Sequence, residues 1–174
     1  AGTKMENMAL SSWKKYATGN PSAREKHSLA YDAARGVVVL FGGYEGSFSA
    51  LPDTWEYDGT KWKQITPTDP EGDGNPPSGG NLTYDAARGV VVLFGGTCGN
   101  YCIGNDTWEY DGISWKEITP TDPEGDGNPE ARFYHSLTYD AARGVVVLFG
   151  GRDHSYECAN GQSSYCADTW EYDG

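Results

Sequence analysis

The string YDAARGVVVLFGG occurs three times without a change, at Tyr31 to Gly43, Tyr84 to Gly96 and Tyr139 to Gly151. A chain that repeats itself at a spacing of roughly 50 residues is not free to fold as an irregular globule. Each copy is one supersecondary unit, too small to bury its own apolar faces. The copies must therefore stack on one another, as propeller blades or solenoid turns do.

Within one copy, HSLAYD reads as a first strand and GVVVLFGG as a second, joined by an Asp-Ala-Ala-Arg-Gly connection whose glycine can take a positive φ. The run Val37 to Phe41 is apolar at every position, as expected of an inner strand covered on both faces. After a loop of variable length, DTWEYDG forms a third strand that places Trp55 and Tyr57 on one face, with Trp108 and Tyr110, then Trp170 and Tyr172, in the later copies. Asp58-Gly59 and Asp111-Gly112 supply tight turns into WKQIT and WKEIT, the fourth strand. The fold class is all-β, built from four-stranded antiparallel blades.

Charge narrows the partner classes. Lys and Arg total 13 against 25 Asp and Glu, a net charge of −12, which repels phosphate backbones and anionic lipid and so argues against nucleic acid and membrane surfaces.

The Gly-Gly doublet closing the second strand, Asp-Thr-Trp-x-Tyr-Asp in the third, the Trp opening the fourth, and Pro-x-Ala-Arg-x-x-His-Ser before the first together resemble Kelch repeats of bacterial type. The likeness covers residues 11–174 and implies a β-propeller with three Kelch-like blades in this chain. It also implies that Arg24 with His27, and Arg132 with His135, pin the inter-blade loops by hydrogen bonds. The second copy departs from the pattern, because NPPSGGNLTYD is shorter and lacks both side chains.

The domain reading is an N-terminal extension (1–10), an orphan fourth strand around Trp13 (11–16), blade 1 (27–65), blade 2 (81–118), and blade 3 (135–174), which lacks a fourth strand of its own. The expectation is that the Trp13 strand of one chain completes the third blade of another, two chains closing a six-bladed ring as a homodimer. A piece of a longer propeller is the competing reading.

Sequence variation is confined to the loops between second and third strands and to the inter-blade loops, which emerge on one side. Binding residues on a repeated scaffold concentrate in such loops. Tyr44, Phe48, Tyr101, Arg152, His154, Tyr156 and Tyr165 are the expected contact residues. In TPTDPEGDGNP, Asp69, Glu71 and Asp73, and again Asp122, Glu124 and Asp126, alternate as in the start of a calcium loop. The twelfth position is Gly80 or Phe133 instead of an acid, so a solvated acidic turn is the alternative. No other cofactor is expected.

The four cysteines, Cys98 with Cys102 and Cys158 with Cys166, sit in variable loops. Their short spacings read as two loop-closing disulfides and hence an exported protein in an oxidising compartment, with cross-pairing, free thiols or a thiolate zinc site as alternatives. Nothing breaks the repeat symmetry with a convergent nucleophile, base or metal set, so no enzyme activity is expected. The functional reading is a non-catalytic extracellular module that binds protein or glycan through its loop face. A self-assembling scaffold whose partner is its own kind is the second reading, and a propeller module of a larger secreted enzyme a third.

Overall fold

A computed structural model describes residues 12–16, 20–46, 49–97, 103–123, 125, 127–153 and 164–174. The first sheet contains β1 (Ser28–Asp32), β2 (Val37–Phe41), β5 (Thr54–Tyr57) and β6 (Trp62–Ile65) in the order β1-β2-β5-β6, with β3 (Tyr44–Glu45) and β4 (Ser49–Ala50) forming a small hairpin in its loop. The second contains β7 (Asn81–Asp85), β8 (Val90–Thr97), β9 (Ile103–Tyr110) and β10 (Trp115–Ile118) in sequence order. The third contains β11 (Ser136–Asp140), β12 (Val145–Phe149) and β13 (Thr169–Tyr172). Every ladder is antiparallel, so the strand reading of the repeat holds.

The register explains how one blade meets the next. Ala30 lies opposite Val39, and Phe41 lies opposite both Ser28 and Thr54, so these residues share one face of the first sheet. The facing side of the second sheet presents Leu82, Tyr84, Val91, Leu93, Trp108, Tyr110 and Trp115, and the two sets form the hydrophobic core. Trp115 is fully buried. Its indole meets Phe41 with ring centroids 5.1 Å apart, stacks on Tyr110 at 5.0 Å, and donates from Nε1 to Thr54 Oγ1 at 3.0 Å. Because that donor is paired, the slot carries the apolar area of a tryptophan without an unsatisfied polar atom.

The invariant DAARG turn does more than reverse the chain. Asp32 accepts from the Arg35 backbone N–H (3.0 Å) and from its Nε (2.6 Å), while Arg35 Nη1 also pairs with Glu56. From the next blade, Tyr110 donates to Glu56 at 3.1 Å and lies under the Arg35 guanidinium, 5.3 Å from ring centroid to Cζ. The second junction repeats this. Asp85, Arg88 and Glu109 form the same cluster, Tyr172 donates to Glu109 at 2.7 Å, and Arg88 lies 5.0 Å over its ring. Burial would raise the pKa of Asp85, but the Arg88 hydrogen bonds and charge outweigh it and hold the carboxyl below the usual range. Burial first, and the neighbouring Glu109, push the Tyr172 phenol up to about 12. Asp140, Arg143 and Glu171 form the third cluster, which stays largely exposed with no tyrosine packed on it among the described residues.

Among the described residues β13 is the edge strand of the third sheet. Residues 12–16 form no strand, and Trp13 is wholly exposed at 103%.

Candidate binding face

The inter-blade loops approach the loops between second and third strands, and the arginines expected to pin them do so. Arg24 donates to Asp53 (2.5 and 3.1 Å) and to the Gly42 carbonyl (3.0 Å). Arg132, fully buried, makes a two-point pair with Asp168 (2.6 and 2.8 Å) and donates to the Gly150 carbonyl at 3.1 Å. The histidine role needs correcting. His135 is buried edge-on against Phe94 at 5.4 Å, and neither ring nitrogen makes a hydrogen bond of ordinary geometry. Burial, then the Arg132 charge, push its pKa down to about 4, with the Phe94 backbone opposing. It is an apolar filler instead of a tether. His27, at the same repeat position, is exposed.

One residue before each histidine, the chain turns left-handed. Lys26 has φ 55° and Tyr134 φ 59°, while the second blade has Gly79 at that register, φ 84°. Glycine adopts this conformation freely, whereas another residue pays about 1–2 kcal/mol for it. The neighbouring Gly80 explains why the second blade has no histidine, since a Cβ there would lie 2.8 Å from both the Gly95 carbonyl oxygen and a Leu93 methyl.

These strained positions anchor a continuous strip drawn from the loops of the first and third blades. The Lys26 ammonium lies 5.7 Å over the Tyr44 ring and 5.9 Å over the Tyr134 ring. The Tyr134 hydroxyl is the main cause of a raised Lys26 pKa. Tyr134 meets Phe133 edge-on at 4.6 Å. Phe133 bridges by backbone to Arg152, which in turn bridges to Tyr165 and lies 5.6 Å over its ring. Tyr134 is 62% exposed and Tyr165 67%.

Of the residues expected on this face, Arg152 and Tyr165 lie in the strip. Tyr44 contributes its ring, while its hydroxyl reaches across to the Thr97 side chain and helps join blades one and two. Phe48, Tyr101, His154 and Tyr156 lie outside the described residues. Lys26, Phe133 and Tyr134 were not singled out by sequence, because they stand inside a recurring loop motif. The signal that marks two of them is the glycine at the matching position of the second copy.

In the acidic loops Asp69, Asp73 and Asp122 accept backbone hydrogen bonds, while Asp73 Oδ1 is buried without one. Asp69 accepts from the Gly72 and Gly74 backbone N–H groups (2.8 and 3.2 Å), and Asp73 Oδ2 accepts from the Glu117 N–H at 2.8 Å. Asp122 repeats the first arrangement with Gly125 and Gly127 at 2.8 and 3.1 Å. Glu71 is exposed, and Glu124 and Asp126 lie outside the described residues. Among the described residues no three His, Cys, Asp or Glu side chains gather as a metal site. Cys166 is buried and disulfide-bonded, and Cys98, Cys102 and Cys158 lie outside the described residues.

The family model of the KLHDC2/KLHL20/DRC7 Kelch-repeats domain matches residues 4–173. The chain belongs to the Kelch-repeat family. Its relatives include an F-box/kelch-repeat protein of Arabidopsis thaliana, 28% identical over 87% of this chain and 32% of that protein, and Mei4-dependent protein 6 of Schizosaccharomyces pombe, 28% identical over 75% of this chain and 19% of that one. The Kelch chain thus spans about a third or less of these relatives' length. Superposition on the solved structure of YjhT gives a TM-score of 0.37 at 10% identity, covering 86% of this chain and 68% of that one.

Kelch repeats typically serve as protein-binding modules. The exported, oxidising location expected from the cysteines is corrected by these matches, since F-box/kelch proteins are typically intracellular. Short cysteine spacing reports loop geometry, and it does not by itself fix a compartment.

Proposed function

We propose that this Kelch domain is a non-catalytic protein-binding module whose contact surface is the strip of Tyr44, Lys26, Tyr134, Phe133, Arg152 and Tyr165. The observation that carries the reading is the pair of left-handed residues, Lys26 and Tyr134, where the second blade has a relaxed glycine. A bulky residue kept where every blade turns left-handed, at a cost glycine does not carry, is a mark of function. Here it presents a cation and an aromatic ring side by side to solvent.

The chemistry of the strip suits a partner segment that offers carboxylates to Lys26 and Arg152 and flat or apolar groups to the tyrosines. Such contacts are local exceptions on a chain of net charge −12. This contrast steers an acidic segment to the strip and away from the rest of the surface.

The test is affinity capture on the immobilised domain, followed by titration of the recovered partner against wild type and a Tyr134→Gly/Arg152→Ala variant. Loss of about 10-fold or more in affinity, about 1.4 kcal/mol for the two contacts together, supports the strip as the contact surface. Unchanged affinity places binding elsewhere.

A further inference from the structure

In the first and third blades the aspartate of the repeated Asp-Thr-Trp sits in a closed set of partners. Arg24 and Arg132 grip Asp53 and Asp168 at two points, and the same carboxylates accept from the indoles of Trp55 and Trp170, each at 2.7 Å. The second blade keeps the carboxylate and the indole as Asp106 and Trp108 but has Pro77 at the arginine position. Asp106 forms no ion pair among the described residues, and Trp108, 4% exposed, has a buried indole N–H without an acceptor.

Three further features set this blade apart. Gly104 stands where Leu51 and Cys166 stand, and a Cβ on it would lie 3.0 Å from Asp106 Oδ2, so the carboxylate lies over the space those side chains use in the other blades. Opposite Trp108, β10 carries Glu117, whereas β6 carries the neutral Gln64 opposite Trp55. Asp73 reaches the same strand through its bond from the Glu117 N–H, leaving Oδ1 buried and unpartnered. Burial first, then the charges of Asp106 and Asp73, raise the Glu117 pKa, the mark of carboxylates that repel one another with no cation between them. Asp106 and Asp73 are part-exposed and Glu117 exposed, so the cluster opens to solvent.

We infer that this cluster is a binding site for a guanidinium, the arginine side chain of a bound protein segment taking the place that Arg24 and Arg132 fill from within the other blades. The ligand class follows from those blades. A planar fork satisfies one carboxylate at two points, and there it also donates to the carbonyl of the first glycine in the doublet, Gly42 or Gly150, whose counterpart is Gly95. With the guanidinium bound, Asp106 turns off Gly104 and accepts from Trp108 Nε1 as Asp53 and Asp168 accept from their indoles. Glu117 and Asp73 supply the field that draws the cation in. An ammonium lacks the fork, and among the described residues no three carboxylates gather closely enough for a metal ion. The site is built from β9, β10 and the loop before β7, so it stands or falls separately from the strip.

The test follows the assigned Trp108 indole N–H by NMR while the full 174-residue chain is titrated with N-acetylarginine amide, N-acetyllysine amide or calcium chloride. The expected result is a saturable downfield shift with the arginine amide, and affinity about 10-fold or more weaker both for the lysine amide and for the arginine amide on Asp106→Asn. Asp106 holds no partner in the unliganded chain, so that variant spares the fold. Pro77→Arg supplies the guanidinium from within: its Trp108 resonance starts at the shifted position, and the arginine amide moves it no further. Absence of a saturable shift in wild type, an equal response to the lysine amide, or a shift given by calcium and not by the arginine amide overturns the inference. A folded Pro77→Arg chain that binds the arginine amide as wild type does also overturns it.

Discussion

The first and second blades meet with every strand present, whereas the second and third meet with one strand absent among the described residues. The two junctions share the Asp-Arg-Glu cluster, the tyrosine that donates to its glutamate, and the phenylalanine and threonine that frame the slot. They differ in the fourth strand and in the residue before the first strand, Gly80 at one and the buried His135 at the other. Where Trp115 is present it is fully buried with its indole N–H paired, and where no counterpart lies among the described residues an open groove remains. Blade stacking is thus not carried by the invariant string alone. At the first junction a fourth-strand tryptophan bridges a sheet to the face of its predecessor.

The largest expected effect comes from emptying the filled slot. Trp115→Ala lowers stability by about 3–5 kcal/mol in urea unfolding, whereas Trp62→Ala, half-buried against Tyr57, costs about 1 kcal/mol or less. Equal losses would show that the slot is not what joins the blades. Next is the buried ion pair. Arg132→Ala leaves Asp168 without its partner and costs about 3 kcal/mol, while Arg143→Ala, at the exposed outer cluster, costs less than about 1 kcal/mol.

The second junction also contains the buried histidine. His135 has a depressed folded pKa, so its contribution is fully present above the ordinary value of 6.5 and is lost as pH falls toward about 4. The loss amounts to roughly 3 kcal/mol. Unfolding midpoints measured from pH 7 to 4 should fall with wild type and fall much less with His135→Phe. The smallest effect belongs to the strip. Lys26→Gly or Tyr134→Gly relieves left-handed strain and raises stability by about 1 kcal/mol while weakening partner binding. A loss of stability instead would mean that these side chains hold the fold together.

The sequence legible in repeats is the sequence that makes strands and junctions. YDAARGVVVLFGG and DTWEYDG fixed the hairpin, the inner strand and the aromatic face, because a period of two leaves each side chain one of two sides. The slot was half legible: Trp13, Trp62 and Trp115 align, but that Thr54 and Phe41 receive the indole depends on how two sheets pack, which no local pattern states. The strip was harder to read. Tyr165 and Arg152 stood out as irregular loop residues, while Lys26 and Tyr134 were hidden by a motif whose arginine and histidine drew attention. Their meaning came from backbone φ, a quantity that only the Gly79 counterpart hints at. The cysteines misled, since close spacing describes a loop and the location was argued from it.

The difference between the junctions is tested most directly by hydrogen exchange, comparing peptides that cover Thr107–Tyr110 of β9 with those that cover Thr169–Tyr172 of β13. The expected result is slow exchange in β9, paired on both edges, and exchange about 10-fold or more faster in β13, paired on one edge. Equal and slow exchange in both strands would contradict the account, because it would mean that the open edge of β13 is as well protected as the filled one.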